Sequence, residues 1–213
     1  MAVTVTRTDP LRNFKFTVEI IPKAGGNTDD DLFGLGNSSA LTIGFAAVSG
    51  VSVTNQVIPY REGGMNTHTH KMVGMSDFAP VTFSRGVFAG QGQLWRWQQF
   101  MHQWNQGNPD IGSVGSDTDY RCDILVYVHD HPVTTNAATY NNDASMPYSS
   151  GVFPGAKKLA YRLYNCWPGG YALGDLGAGE SSILVQQLTV HHEGYTLAWE
   201  TSEINALATV LNA

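Results

Sequence analysis

VIPYREGGMNTHTHKMVG, residues 57–74, decides between two readings of this chain. One reading is chemical. His68 and His70 stand two apart, so extended backbone would place both imidazoles on one face, where a pair can begin a zinc site. The other is architectural. VIPY is extended, Gly63-Gly64 permits a bend that residues with side chains resist, and THTHKMV (67–73) alternates as a return strand. In that case Arg61 and Glu62 lie at a turn, and the two histidines form one polar face of a strand.

The flanking sequence favours strands on both sides. FKFTVEII (14–21) places Phe14, Phe16, Val18 and Ile20 on one face and Lys15, Thr17 and Glu19 on the other, as a half-buried strand does. LTIGFAAVSGVSV (41–53) reads as a strand bent at Gly50. QVIPY (56–60), APVTFSRGVF (79–88), YRCDILVYV (120–128) and KLAYRLYNC (158–166) follow as extended segments. WPGGYALGDLGAGESS (167–182) reads as a turn-rich link, and ILVQQLTVHHEGYTLAW (183–199) as one long strand. A single helix is expected over QGQLWRWQQFMHQWNQG (91–107), where Leu94, Trp97 and Met101, and Phe100 and Trp104, fall three and four apart. Gly90 and Gly92 leave its start loose, and Gly107-Asn108-Pro109 stops it. Polar, Gly/Asn-rich loops or insertions occupy about 22–40, 108–119 and 129–156, and the tail 200–213 is a short helix or an arm. The sum is one mainly antiparallel β domain over residues 1–213 with a helix packed on it.

Composition narrows the function. Of 213 residues, 42% are apolar but only 14% charged, and the net charge is −6. A nucleic-acid groove that works by counterion release needs a basic surface, which this chain lacks. Cys122 and Cys166 are too few and too far apart for a disulfide scaffold, so two buried thiols in a reducing compartment are expected. The polar N-terminus and the lack of any 18-residue apolar run predict neither a signal peptide nor a membrane span.

Catalytic patterns are weak. His129-Asp130-His131 repeats the spacing of His68 and His70, but neither pair continues into the HExxH or HxHxDH patterns that supply further ligands. His191 and His192 are adjacent, which puts them on opposite faces. GGNTDDD (25–31) lacks the alternating ligands and closing Glu of a calcium loop. GxSxG, P-loop and GxGxxG motifs are absent, so no cofactor is expected. A small metal-dependent hydrolase built on the His pairs stays as the competing reading, and metal content would test it. Trp95, Trp97, Phe100, Met101 and Trp104 exceed what one helix face needs; the surplus predicts contact with another subunit or loop.

In order, FKFTVEI, FAAVSGVSV, VIPYREGG, HKMVGM, VTFSRGVF, LWRWQQF, RCDILVYV, YRLYNCWPGGY and ILVQQLTVHHEGY resemble the tail tube proteins of contractile-tailed phages. The set is also similar to the inner-tube proteins of contractile injection systems, over about residues 14–199. The resemblance implies two antiparallel sheets packed as a sandwich or half-barrel with one flanking helix. It implies hexameric rings that complete a continuous barrel and stack into a tube, with no catalysis. In the phage role, DNA passes from capsid to host through the lumen without specific binding. Tail sheath, baseplate or tail-tip, tape measure and tail terminator proteins are the implied partners. The implied location is the virion, after assembly in the host bacterial cytoplasm. An inner-tube or tube-cap subunit carrying protein cargo is the alternative. Under the resemblance, Arg61, Glu62, Gly63, Gly64, Arg85, Trp95, Trp97, Trp104, Trp167, His192 and Glu193 are candidates for subunit interfaces. Ser52, Thr54 and Gln56 are candidates for the lumen wall.

Overall fold

A computed structural model describes residues 10–23, 41–107, 120–129, 157–179 and 181–209. The expected loops at about 22–40, 108–119 and 129–156 lie outside the described residues except at their edges, where Pro22 ends β1 and His129 ends β7; residues 210–213 of the tail lie outside as well. The elements run β1 (Phe16–Pro22), β2 (Leu41–Ile43), β3 (Ala47–Ser49), β4 (Val53–Tyr60), β5 (His70–Phe78), β6 (Val81–Gly86) and α1 (Gln93–Asn105). After them come β7 (Cys122–His129), β8 (Lys157–Leu173), β9 (Val185–His191), β10 (Gly194–Ala198) and α2 (Thr201–Thr209). All pairings are antiparallel, in the order β2-β1-β7-β8-β9-β6-β3, with β10 also on β8 and β4–β5 as a separate two-stranded ribbon.

β8 makes two sheets out of this path. Its first half pairs with β7 and β10, its second half with β9. Between the halves Asn165 takes φ 52°, a left-handed conformation that asparagine tolerates better than most residues. The sheets then face each other. Val18, Ile20, Ile124 and Val126 on one side meet Val81, Phe83, Leu188 and Val190 on the other, and Leu94, Trp97 and Phe100 of α1 complete that core. The opposite face of β7 is also covered. Leu125 and Tyr127 pack with Ala160, Ala198 and Ile204 of α2, which explains why CDILVYVH reads as a near-continuous apolar run.

Three expectations are corrected. WPGGYAL is not a link: it continues β8 to Leu173. Pro168 lies in the half of β8 that, among the described residues, pairs only with β9, and proline is tolerated on such an edge. Gly169 leaves room for a neighbour, because a Cβ there would sit 2.2 Å from His191 Cδ2. Segment 183–199 is two strands rather than one. They share β8 as neighbour, His191 facing Trp167 and Gly194 facing Tyr164, and break where β8 bends. The tail takes the helical of its two expected forms, which revises the count of flanking helices from one to two; Glu203 caps it by accepting the Trp199 N–H at 3.2 Å. The helix over 91–107 forms as α1, without a side-chain N-cap and with Gly107 at φ 64° behind its last turn.

A buried ion pair ties the body together. Asp123 Oδ2 accepts from Arg162 Nη2 at 2.6 Å and Nε at 3.1 Å, Asp123 Oδ1 accepts the Asn165 N–H at 3.0 Å, and Arg162 Nη1 donates to Leu207 O at 2.9 Å. One residue pair thereby links β7, the bend of β8 and α2. Cys122 and Cys166 face each other across β7 and β8, both buried and free; burial pushes the Cys166 thiol well up, away from reactivity.

Candidate assembly surface

The opening stretch forms the tip of the β4–β5 ribbon. The ribbon is the outer half of a longer hairpin. Ser49 faces Thr82 in β3–β6, Ala79 N–H donates to Ser52 O at 3.2 Å, and Val53 faces Phe78 in β4–β5. The register therefore runs unbroken from the body into the ribbon, through a joint at Gly50. Gly50 has φ 98°, and a Cβ there would lie 2.5 Å from Pro80 O, so the joint requires glycine. His192 pins the root: Nε2 stands 3.2 Å from Ala79 O, Nδ1 3.2 Å from Gly194 O, and the ring packs against Phe78.

Beyond the joint nothing in the described chain covers the ribbon. Every residue of β4 is exposed. A bulge on β5 sets Gly74 and Met75 against Gln56, and a Cβ on Gly74 would lie 2.9 Å from Gln56 O. One face carries Val53, Val57 and Val73; the other carries Ile58, Tyr60 and Met72. Both faces are therefore apolar and bare, Val73 at 80% exposure. A two-stranded ribbon is marginal by itself in water, so such a surface marks an interface.

The candidate residues fall into separate groups. Arg61, Glu62, Gly63 and Gly64 lie exposed at the tip, where Met65 N–H donates to Glu62 O at 3.2 Å and Gly64 has φ 95°. Ser52, Thr54 and Gln56 are exposed along one side of the ribbon, with Thr54 and Gln56 beside Met75 and Asp77 in a shallow cleft. Arg85 stands buried near the Gly86 end of β6, bonded to Gln91 and beneath Phe88, while Trp95 of α1 packs against Tyr171. Trp167 stacks on His191 with ring centroids 4.7 Å apart, and the exposed Glu193 bonds Asn165 and pairs with Arg121 at 3.7 Å. Trp104 is half exposed against Tyr120. Trp97 is fully buried: its indole N–H donates to Tyr120 O at 2.9 Å, so it serves the core and presents nothing to a neighbour. His192 is likewise buried and acts inside the subunit.

Sequence reasoning missed the ribbon's apolar residues. Their signal was present: in QVIPY and HKMVGM the apolar residues are adjacent, so neither face can be polar. His68 and His70 sit where the chain enters β5 near the ribbon tip, with ring centroids 5.5 Å apart, both exposed. Among the described residues no three His, Cys, Asp or Glu side chains converge on a metal position, and His131 lies outside them.

Several solved chains share this fold. A chain of the anti-feeding prophage baseplate aligns with TM-score 0.63 and 14% identity, covering 91% of this chain and 98% of that one. A chain of the anti-feeding prophage tube-terminating cap gives TM-score 0.59 and 18% identity over 94% and 100%. A chain of the sheath-tube complex of an extracellular contractile injection system, PVC, gives 0.56 and 20% over 90% and 93%. No curated protein matches the sequence. The model of the T4-like virus tail tube protein gp19 matches residues 12–196, and the chain belongs to that family of structural, non-enzymatic tube proteins.

Proposed function

We propose that this chain, acting as one domain, is the tail tube subunit of a phage. Hexameric rings stack into a tube that conducts DNA from capsid to host cell. The observation that carries this reading is the two-faced apolar ribbon that nothing among the described residues covers, as a surface meant for another subunit would be. Ring closure would also remove the sheet edges at β2, β3 and the outer half of β8, which are unpaired among the described residues and would be a liability in a free monomer. The wall is compatible with a passing polyanion, since the chain carries a net charge of −6 and Ser52, Thr54 and Gln56 offer neutral polar groups. Sheath, baseplate or tail-tip, tape measure and terminator proteins are the partners of such a tube, and the virion is its location.

A second reading is supported by the solved chains from injection systems: an inner-tube or tube-cap subunit for protein cargo. Negative-stain electron microscopy of the purified protein separates these. A tube subunit gives rings and stacked tubes, and a cap gives single rings only. A monomer at all concentrations defeats both readings. Particles from the producing cell then decide cargo, because DNA-filled capsids joined to the tube identify a phage.

A further inference from the structure

The register carried from β3–β6 into the first pairs of β4–β5 sets the end of the body from which the ribbon leaves. β6 runs from Val81 at the ribbon root to Gly86 at the other end of the body. The ribbon continues past the root by the eight residues of β4, about 26 Å of strand. The ribbon that ends at Glu62 thus leaves the body at the Val81 end of β6, and Gly86 lies at the opposite end of that strand.

The Gly86 end carries a built socket. Arg85 there is 5% exposed, its Nη2 donates to Gln91 Oε1, and its Nε is buried without a partner. Gln186, which faces Arg85 across β6 and β9, is 3% exposed; it takes the Tyr171 hydroxyl at 2.8 Å on Oε1 and leaves Nε2 unpartnered. Two buried donors therefore lack acceptors, and burial pulls the Arg85 guanidinium pKa down, as expected for a cation without a counter-charge. Around them stands an exposed apolar rim. Phe88 covers the guanidinium at 5.2 Å, exposed Leu173 faces Gln186 across the strands, exposed Ile183 lies against Gly86, and half-exposed Trp95 packs on Tyr171.

We propose that the ribbon tip of one subunit seats in the Arg85 socket of a second copy, with the Glu62 carboxylate as the acceptor that Arg85 and Gln186 lack. The inference rests on the tube reading and adds to it the residues that join one ring to the next. The fit is chemical on both counts. The ribbon end offers apolar Ile58, Tyr60 and Met72 to an apolar rim, and a carboxylate to unpaired donors. The contact is head-to-tail, because tip and socket are different surfaces. Such a contact repeats without closing and yields a filament.

Glu62→Cys combined with Ile183→Cys tests it in the full chain, since Cys122 and Cys166 are buried and stay silent. After treatment with a short bis-maleimide, the expected result is a covalent ladder that extends beyond the hexamer, absent from either single variant. Tubes visible by microscopy without a ladder, or a ladder that stops at the hexamer, overturn the inference and leave the tube reading intact. Absence of rings and tubes from the unsubstituted protein overturns both. Glu62→Lys keeps the question answerable if the cysteines block assembly. It should abolish tubes and retain rings, and tubes of unchanged length would sink the proposed pairing.

Discussion

This molecule uses one device twice, with opposite results. β8 with β9 and β10, and β3–β4 with β5–β6, are both long antiparallel hairpins that carry their register through a joint. At the first joint Asn165 turns β8 so that each half lands on a packed layer, and Ala160, Leu163 and Cys166 are buried. At the second, Gly50 passes under Pro80 and the outer half leaves the body with Val57, Ile58, Met72 and Val73 uncovered. Strand pairing is local and indifferent to support. Whether a second layer meets the far half decides whether its apolar residues stabilise the subunit or wait for another copy.

The sharpest way to break the comparison is at the body hairpin. Asp123→Ala would strand the buried Arg162 charge and unhook α2, at a cost of about 3–5 kcal/mol. Urea unfolding should show it as a lower midpoint, and a shift below about 1 kcal/mol would mean that the pair does not secure the bend of β8.

Alkali probes the same layer more gently. Burial pushes the Tyr127 and Tyr161 hydroxyls from 10 up to about 12. The folded chain then keeps protons that the unfolded chain releases. Their contribution is intact below pH 10 and is lost as pH rises through about 12. Tyr127→Phe should flatten that decline by roughly 2–3 kcal/mol, measured as stability against pH between those limits. An unchanged profile would show that Tyr127 does not stay neutral in the fold.

The smallest effect on the subunit should come from the ribbon. Val57→Ser with Met72→Ser changes surface that is already wet, so unfolding of the dissociated subunit should move by no more than about 0.5 kcal/mol. Tube formation, read by sedimentation and microscopy, should fail. Loss of stability without loss of assembly would reverse the contrast between the two hairpins.

Legibility in the sequence followed the same divide. Alternation placed β1 and β6, and the 3.6-residue spacing with Gly107 placed α1, because these patterns are read off neighbouring residues. Pro168-Gly169-Gly170 misled for an equally physical reason. Those residues favour turns, but an open strand edge with a histidine ring overhead accepts them. Arg162 and Asp123 were visible as charges in apolar runs, yet their pairing depends on register between strands far apart in the chain. Trp97 and Trp95 look alike in sequence, and only the side of α1 that meets the sheets separates core from surface.

For the stretch 57–74, the sequence by itself determined an extended run, a glycine turn and a return strand, since local backbone preference suffices for those. Its family membership was likewise legible in the order of motifs. That the ribbon leaves the body at the Val81 end of β6 with apolar residues exposed on both faces was decided only by the tertiary structure. Exposure and direction depend on which layers fill the space around a strand, and no local pattern contains that.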